Sequence, residues 1–279
     1  MTAAPTRRAA YERAQRRRGT IIATASTIIV VTALIALVPR ASGWEKVRQA
    51  FFDGDVFTDS FPRLIEAFWL DVKILLWSTP LILIVSLLVA LARSVRSPAL
   101  FPLKAFAVVY TDIMRGIPVI LLIFLIGFGV PALGLSREWA NPVIWGTVAL
   151  VLSYSAYVAE IIRGGIDGVH ESQRAAARSL GMSSRQTMST VVLPQAFRNI
   201  VPPMMNSFVS LQKDVALVSV IGPVEILRQA GIDKSKFANF TPYVAASLIF
   251  LAITIPCTRL ADHLLAREDR KSTRLNSSH

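Results

Sequence analysis

The chain has 279 residues, 53% of them hydrophobic, a mean hydropathy of +0.51, and 30 Lys and Arg against 18 Asp and Glu, for a formal net charge of +12. A chain this apolar does not fold as an ordinary soluble domain, and no basic stripe with interleaved aromatics points to nucleic acid, so the cations are expected in loops beside anionic lipid. Its single cysteine, Cys257, sits in an apolar run and can form neither an internal disulfide nor a metal site.

An Arg-rich tail, residues 1–19, opens the chain with Arg7, Arg8, Arg13, Arg16, Arg17 and Arg18. Spans are then predicted at Thr20–Val38, Trp69–Leu91, Tyr110–Val130, Val143–Ile162, Val201–Ile221 and Tyr243–Leu260. Each run falls in the range of roughly 17–25 residues with which a helix crosses a bilayer core. In lipid the backbone must satisfy its own hydrogen bonds, which leaves helices as the form. The first run is too long for a signal-peptide core and no small-residue cleavage site follows it, so it reads as an anchor helix, followed by an external loop within residues 20–60. Residues 40–68 are balanced in charge, whereas the next connection carries Arg93, Arg96, Lys104 and Arg115 against Asp112 alone. The long connection 163–200 carries Arg163, Arg174, Arg178, Arg185 and Arg198 against Asp167 and Glu171. Lys and Arg accumulate in cytoplasmic loops, so both termini are expected in the cytoplasm of a bacterium, with the chain in its inner membrane. The last segment, Asp269–His279, reads as the translation of a sequencing adapter and is excluded from fold reasoning, and native C-terminal residues are expected to be missing. The fold class is therefore an all-α integral membrane protein of about six transmembrane helices, a core over 61–265 plus one N-terminal helix.

A connection of nearly forty residues inside a compact helical protein points to function. From Glu171 to Leu180 it is rich in helix formers, with an acid near the start and Arg178 near the end to suit the helix dipole, and Gly181 supplies the stop. Ser183 with Gln186 three residues on is a capping-box pattern, predicting a second helix through Val191, Val192 and Leu193 to Pro194.

The stretch Ala175-Ala176-Ala177-x3-Gly181-x9-Val191-x-Leu193-Pro194 resembles the EAA loop of bacterial ABC-importer permeases, Glu-Ala-Ala, three residues, Gly, nine residues, Ile, one residue, Leu-Pro. Ala175 replaces the usual Glu and Val191 the usual Ile, while the spacing is kept. Three further runs resemble the polar amino-acid permeases of that family: Arg115-Gly116-Ile117-Pro118-Val119, Ala156 to Ile166 with its Glu160, Arg163, Gly164 and Gly165, and Lys213 to Gly222. The resemblance covers residues 61–265 and implies two permease subunits, identical or similar, on an ABC ATPase dimer, receiving a polar amino acid from an extracytoplasmic binding protein. It makes Ala175, Ala176, Ala177, Gly181, Val191, Leu193 and Pro194 the coupling surface. No Gly-x4-Gly-Lys-Ser/Thr phosphate loop occurs in the sequence, so ATP and Mg belong on the ATPase, and this chain is expected to bind no cofactor and to be no enzyme. General likeness, including the extra N-terminal span, leans to glutamate or glutamine.

Ionisable groups inside a span are costly and point to function. Lys213 and Asp214 fall near the middle of the fifth span, with Asn206, Ser207, Ser210 and Gln212 close by in sequence, and they fit either helix packing or the substrate path. Asp214 is expected to matter more than Asp233. Glu160 and Arg163 form an i, i+3 pair of gating or structural role, and Arg115 to Pro118 should bend or start the third span. His170 and His263 have no ligands at metal spacing. An ion-driven secondary transporter is the alternative, but it calls for paired or inverted halves that the sequence lacks.

Overall fold

The computed structural model describes residues 7–95 and 97–276. Arg96, the first six residues of the Arg-rich tail and the last three of the adapter-like segment lie outside them. Among the described residues every regular element is helical. Two compact units divide at Asp53. The first holds α1 (Arg7–Leu37), a 3-10 turn at Val38–Arg40 and α2 (Trp44–Phe51).

The second unit begins with α3 (Gly54–Ser94), whose 41 residues extend about 62 Å at 1.5 Å each, roughly twice the thickness of a hydrocarbon core. It continues past Pro62 and Pro80. Its buried face, Leu64, Asp71, Ile74, Ser78, Ile82, Ser86 and Ala90, follows a helical period and mixes apolar with small polar residues. The Ser78 and Ser86 hydroxyls donate back to the carbonyls of Leu75 and Leu83, so small side chains give close helix contacts without orphaned polar atoms.

The predicted third span, Tyr110–Val130, is not one helix. Helix α4 (Phe101–Gly116) and α5 (Val119–Gly129) meet at 108°. Pro118 has no N–H to donate and forces Ile117 out of helical geometry, to φ −101° and ψ 130°. Helix α6 (Pro142–Asp167) is capped by Asn141, whose side chain accepts from the Val143 amide at 2.9 Å. It is the hub, with Ala149, Leu150, Val151, Tyr154, Ala156, Val158 and Ala159 all buried, and its Leu150 and Tyr154 join Ile74, Ile123, Leu211 and Val218 in the main core.

After α6 come α7 (Glu171–Ser179) and α8 (Ser184–Gln186), then a π turn at Thr187–Val192 that runs on into α9 (Leu193–Asp214). Pro194 thus lies just after the π turn, within a helical path that runs on into α9, and does not end the second loop helix as predicted. The predicted fifth span, Val201–Ile221, is α-helical only to Asp214 and finishes as a 3-10 helix, Val215–Ile221. Helices α10 (Ile226–Phe237) and α11 (Thr241–Asn276) complete the unit.

Candidate coupling loop and polar sites

Helix α7 is fastened at both ends. His170 Nδ1 accepts from the Ser172 amide at 3.2 Å, and Glu171 pairs with Arg178 at 2.8 Å. Arg174 donates to the Ile166 carbonyl at 2.6 Å, tying α7 to the end of α6. Gly181, at φ 79°, ends the helix in a Schellman arrangement: its amide donates to Arg178 O at 2.9 Å and the Met182 amide to Ala177 O at 3.2 Å. The Ser183 side chain and Gln186 cap each other reciprocally. Beneath the loop, Val169, Val192, Ala196 and Ile200 form a small core.

The predicted coupling residues therefore divide. Ala175, Ala176, Gly181, Leu193 and Pro194 are exposed, Val191 is half-buried, and Ala177 packs inward at 4% exposure, which corrects the expectation that all three alanines offer surface to a partner. Leu180, which the sequence reading did not single out, stands 83% exposed between them. An apolar residue immediately before the glycine stop was the signal available.

Glu160 pairs with Arg163 at 2.9 Å as predicted, and Arg163 also holds Asp167 at 2.9 Å. Arg93 of α3 contacts the other oxygen of Glu160, and Arg115 stands 3.9 Å from it. Tyr157 donates its hydroxyl to the Arg115 carbonyl at 3.2 Å, and its ring lies under that guanidinium. Arg115, Tyr157, Glu160, Asn199 and Ser207 line a cleft of about 600 Å³ at this end of α6. This charge cluster joins three helices where the sequence suggested one local pair.

Deeper in the core, Asp214 Oδ2 accepts from the Tyr154 hydroxyl at 2.7 Å. Lys213 is exposed and has no ion pair among the described residues. Asn206, Ser210 and Lys213 are all exposed and recur at i, i+4 and i+7, so they share one face of α9. Gln212 is turned inward and accepts from Thr254 at 2.7 Å. Asp233, in contrast to the expectation that only Asp214 has a charged group depending on it, has a charge partner of its own. Asp233 is 1% exposed, and both its oxygens receive Arg63 Nε, at 3.1 and 3.2 Å. Among the described residues there is no cluster of three or more His, Cys, Asp or Glu able to hold a metal ion.

Residues 99–270 match the family described as binding-protein-dependent transport system inner membrane component. The chain is 34% identical over 170 residues, 61% of its own length and 77% of the relative's, to the probable glutamine ABC transporter permease protein GlnM of Bacillus subtilis. It is 33% identical to the arginine transport system permease protein ArtQ of the same organism, over 71% of this chain and 88% of that one. A crystal structure of an amino acid ABC transporter with histidines superposes with a TM-score of 0.71 at 32% identity, covering 77% of this chain and 98% of that one. Inward-facing MetNI methionine ABC transporter, at 18% identity and a TM-score of 0.56, shares the fold. None of these relatives favours ion-driven secondary transport. With fold, loop motif and relatives in agreement, the chain belongs to the binding-protein-dependent inner membrane component family as an amino-acid ABC importer permease, a transport subunit and not an enzyme.

Proposed function

We propose that this permease moves a polar amino acid, glutamate or glutamine first among the candidates, into the cytoplasm, and that α7 is its contact with a separate ATPase carrying ATP and Mg. The observation that carries the coupling reading is the mounting of α7. Arg174 and Ala177 fix it to its own chain, while Ala175, Ala176 and Leu180 remain bare. A short helix held rigidly on one side and left apolar on the other is suited to passing a partner's closure on as rigid-body movement. The arginines of this loop and of the N-terminal tail favour the cytoplasmic side for both in this reading.

The polar face of α9 supports a second permease subunit, identical or similar. A lysine turned to hydrocarbon at mid-membrane costs about 2.5–3.5 kcal/mol on insertion scales, and Asn206, Ser210 and Lys213 all lie on that uncovered face. A second copy or close relative would cover it and leave a polar path for the amino acid delivered by the binding protein.

Leu180→Arg and Gly181→Asp test the coupling. Leu180 is exposed, so its replacement leaves folding intact, whereas Gly181→Asp strains a residue at positive φ. Both variants should insert at normal abundance, yet uptake and co-purification of the ATPase should fall about tenfold or more, as for a buried apolar anchor of an interface. Unchanged uptake and unchanged ATPase recovery in Leu180→Arg would overturn the assignment.

A further inference from the structure

On the flank of α3 facing away from the main core lies a cavity of about 760 Å³ lined by Arg63, Glu66, Trp69, Lys73 and Gln229 among others. Its charges are unevenly used. Arg63 is held by Asp233, lies over the Phe237 ring at 5.7 Å, and Gln229 Nε2 donates to the same carboxylate at 3.1 Å. Asp71, two residues from Lys73, turns inward, is 3% exposed and accepts from the Ile226 amide at 3.2 Å. Glu66 and Lys73 are thus left exposed and without an ion pair or hydrogen bond among the described residues. They stand seven residues apart, so they share a face of α3 about 10.5 Å apart along its axis, with the Trp69 ring, 60% exposed, between them.

The continuation of this flank identifies the occupant. Beyond Lys73 the flank of α3 continues in exposed apolar side chains, among them Leu76, Trp77, Ile84, Leu88 and Leu91. Lys73 therefore marks the edge of the hydrocarbon and Glu66 lies outside it, with a tryptophan at the boundary as in membrane interfaces. A glycerophospholipid carries its phosphate next to the glycerol and its amine farther out, which is the order of Lys73 and Glu66. We infer that this cavity binds the headgroup of an aminophospholipid of the phosphatidylethanolamine class, phosphate on Lys73 and ammonium on Glu66, with the acyl chains along the apolar flank. The ammonium donates N–H bonds to the carboxylate, which a choline headgroup cannot do.

Native mass spectrometry of the permease purified with its ATPase, titrated with palmitoyl-oleoyl phosphatidylethanolamine, tests this. One lipid per permease chain should be retained, in preference to the phosphatidylcholine and phosphatidylglycerol analogues. Glu66→Gln and Lys73→Gln should each weaken retention about two- to fivefold and together about tenfold, as expected for partly exposed charge pairs. Both side chains are exposed, so neither change should lower the unfolding temperature in lipid-free detergent. No retained lipid, equal retention of the three headgroups, or retention unaffected by the double substitution would overturn the inference. So would displacement by millimolar phosphoethanolamine, which would mark a soluble-anion site, or by L-glutamine, which would mark a cargo site.

Discussion

Two adjacent glycines in α6, Gly164 and Gly165, should respond to the same substitution with opposite signs. A Cβ on Gly164 meets nothing within 4 Å. There Gly→Ala gains the helix propensity of alanine, about 0.5–1 kcal/mol. A Cβ on Gly165 would lie 2.3 Å from Ile200 Cγ1 and 3.2 Å from the Ala196 carbonyl oxygen. Ile200 is 8% exposed within the cluster of Val169, Val192 and Ala196, and a backbone carbonyl cannot swing aside. Overpacking of that kind costs about 1–3 kcal/mol, which offsets the propensity gain and leaves Gly165→Ala less stable than wild type by up to about 2 kcal/mol. Removing the obstructing side chain should couple the sites: Ile200→Ala costs stability alone, but Gly165→Ala should be better tolerated in that background than in the wild type. Thermal unfolding of the four purified proteins in one detergent reads both effects. A Gly165→Ala protein as stable as Gly164→Ala would refute the close approach of α6 and α9 on which the placement of the loop depends.

The loop was legible because its signals are local. Gly181, Ser183 and Gln186 lie within one helical turn of the backbone groups they satisfy, in the observed Schellman turn and capping box, and Glu171 and Arg178 pair with each other two turns apart. Apolar runs likewise located the spans, since the hydrocarbon requirement is a property of a segment by itself. Hydropathy says nothing of helix type or direction, so Pro118 marked the bend in the third span but not its angle of 108°, and the change to 3-10 geometry after Asp214 was hidden inside a run that read as continuous. The polar sites depended on partners far along the chain. Tyr154 with Asp214, Arg93 with Glu160 and Arg63 with Asp233 join helices that no local pattern pairs.

The topology prediction is checked by single cysteines in a Cys257→Ser background: Ser184→Cys should resist an impermeant thiol reagent on intact cells while Asp59→Cys reacts, and the reverse order would exclude cytoplasmic placement of the loop. Two aspartates, the buried Asp233 and the half-buried Asp214, give the last test. Asp233→Asn removes the charge facing Arg63; losing one partner of a fully buried pair costs about 3–5 kcal/mol, and because Arg63 keeps 37% of its side chain in contact with solvent the cost should shrink to about 1–3 kcal/mol. Asp214→Asn keeps a carbonyl oxygen to accept from Tyr154, so only the charge assistance of one hydrogen bond is lost, about 1 kcal/mol or less. Asp233→Asn should therefore lower the unfolding temperature and membrane abundance more, with uptake falling in proportion to abundance. If Asp214 borders the amino-acid path, its asparagine variant should lose uptake at nearly normal stability, which separates a group on the path from one in the scaffold. An Asp214→Asn protein that is the less stable of the two would show that the scaffold depends on the Tyr154 contact and not on the Arg63 pair.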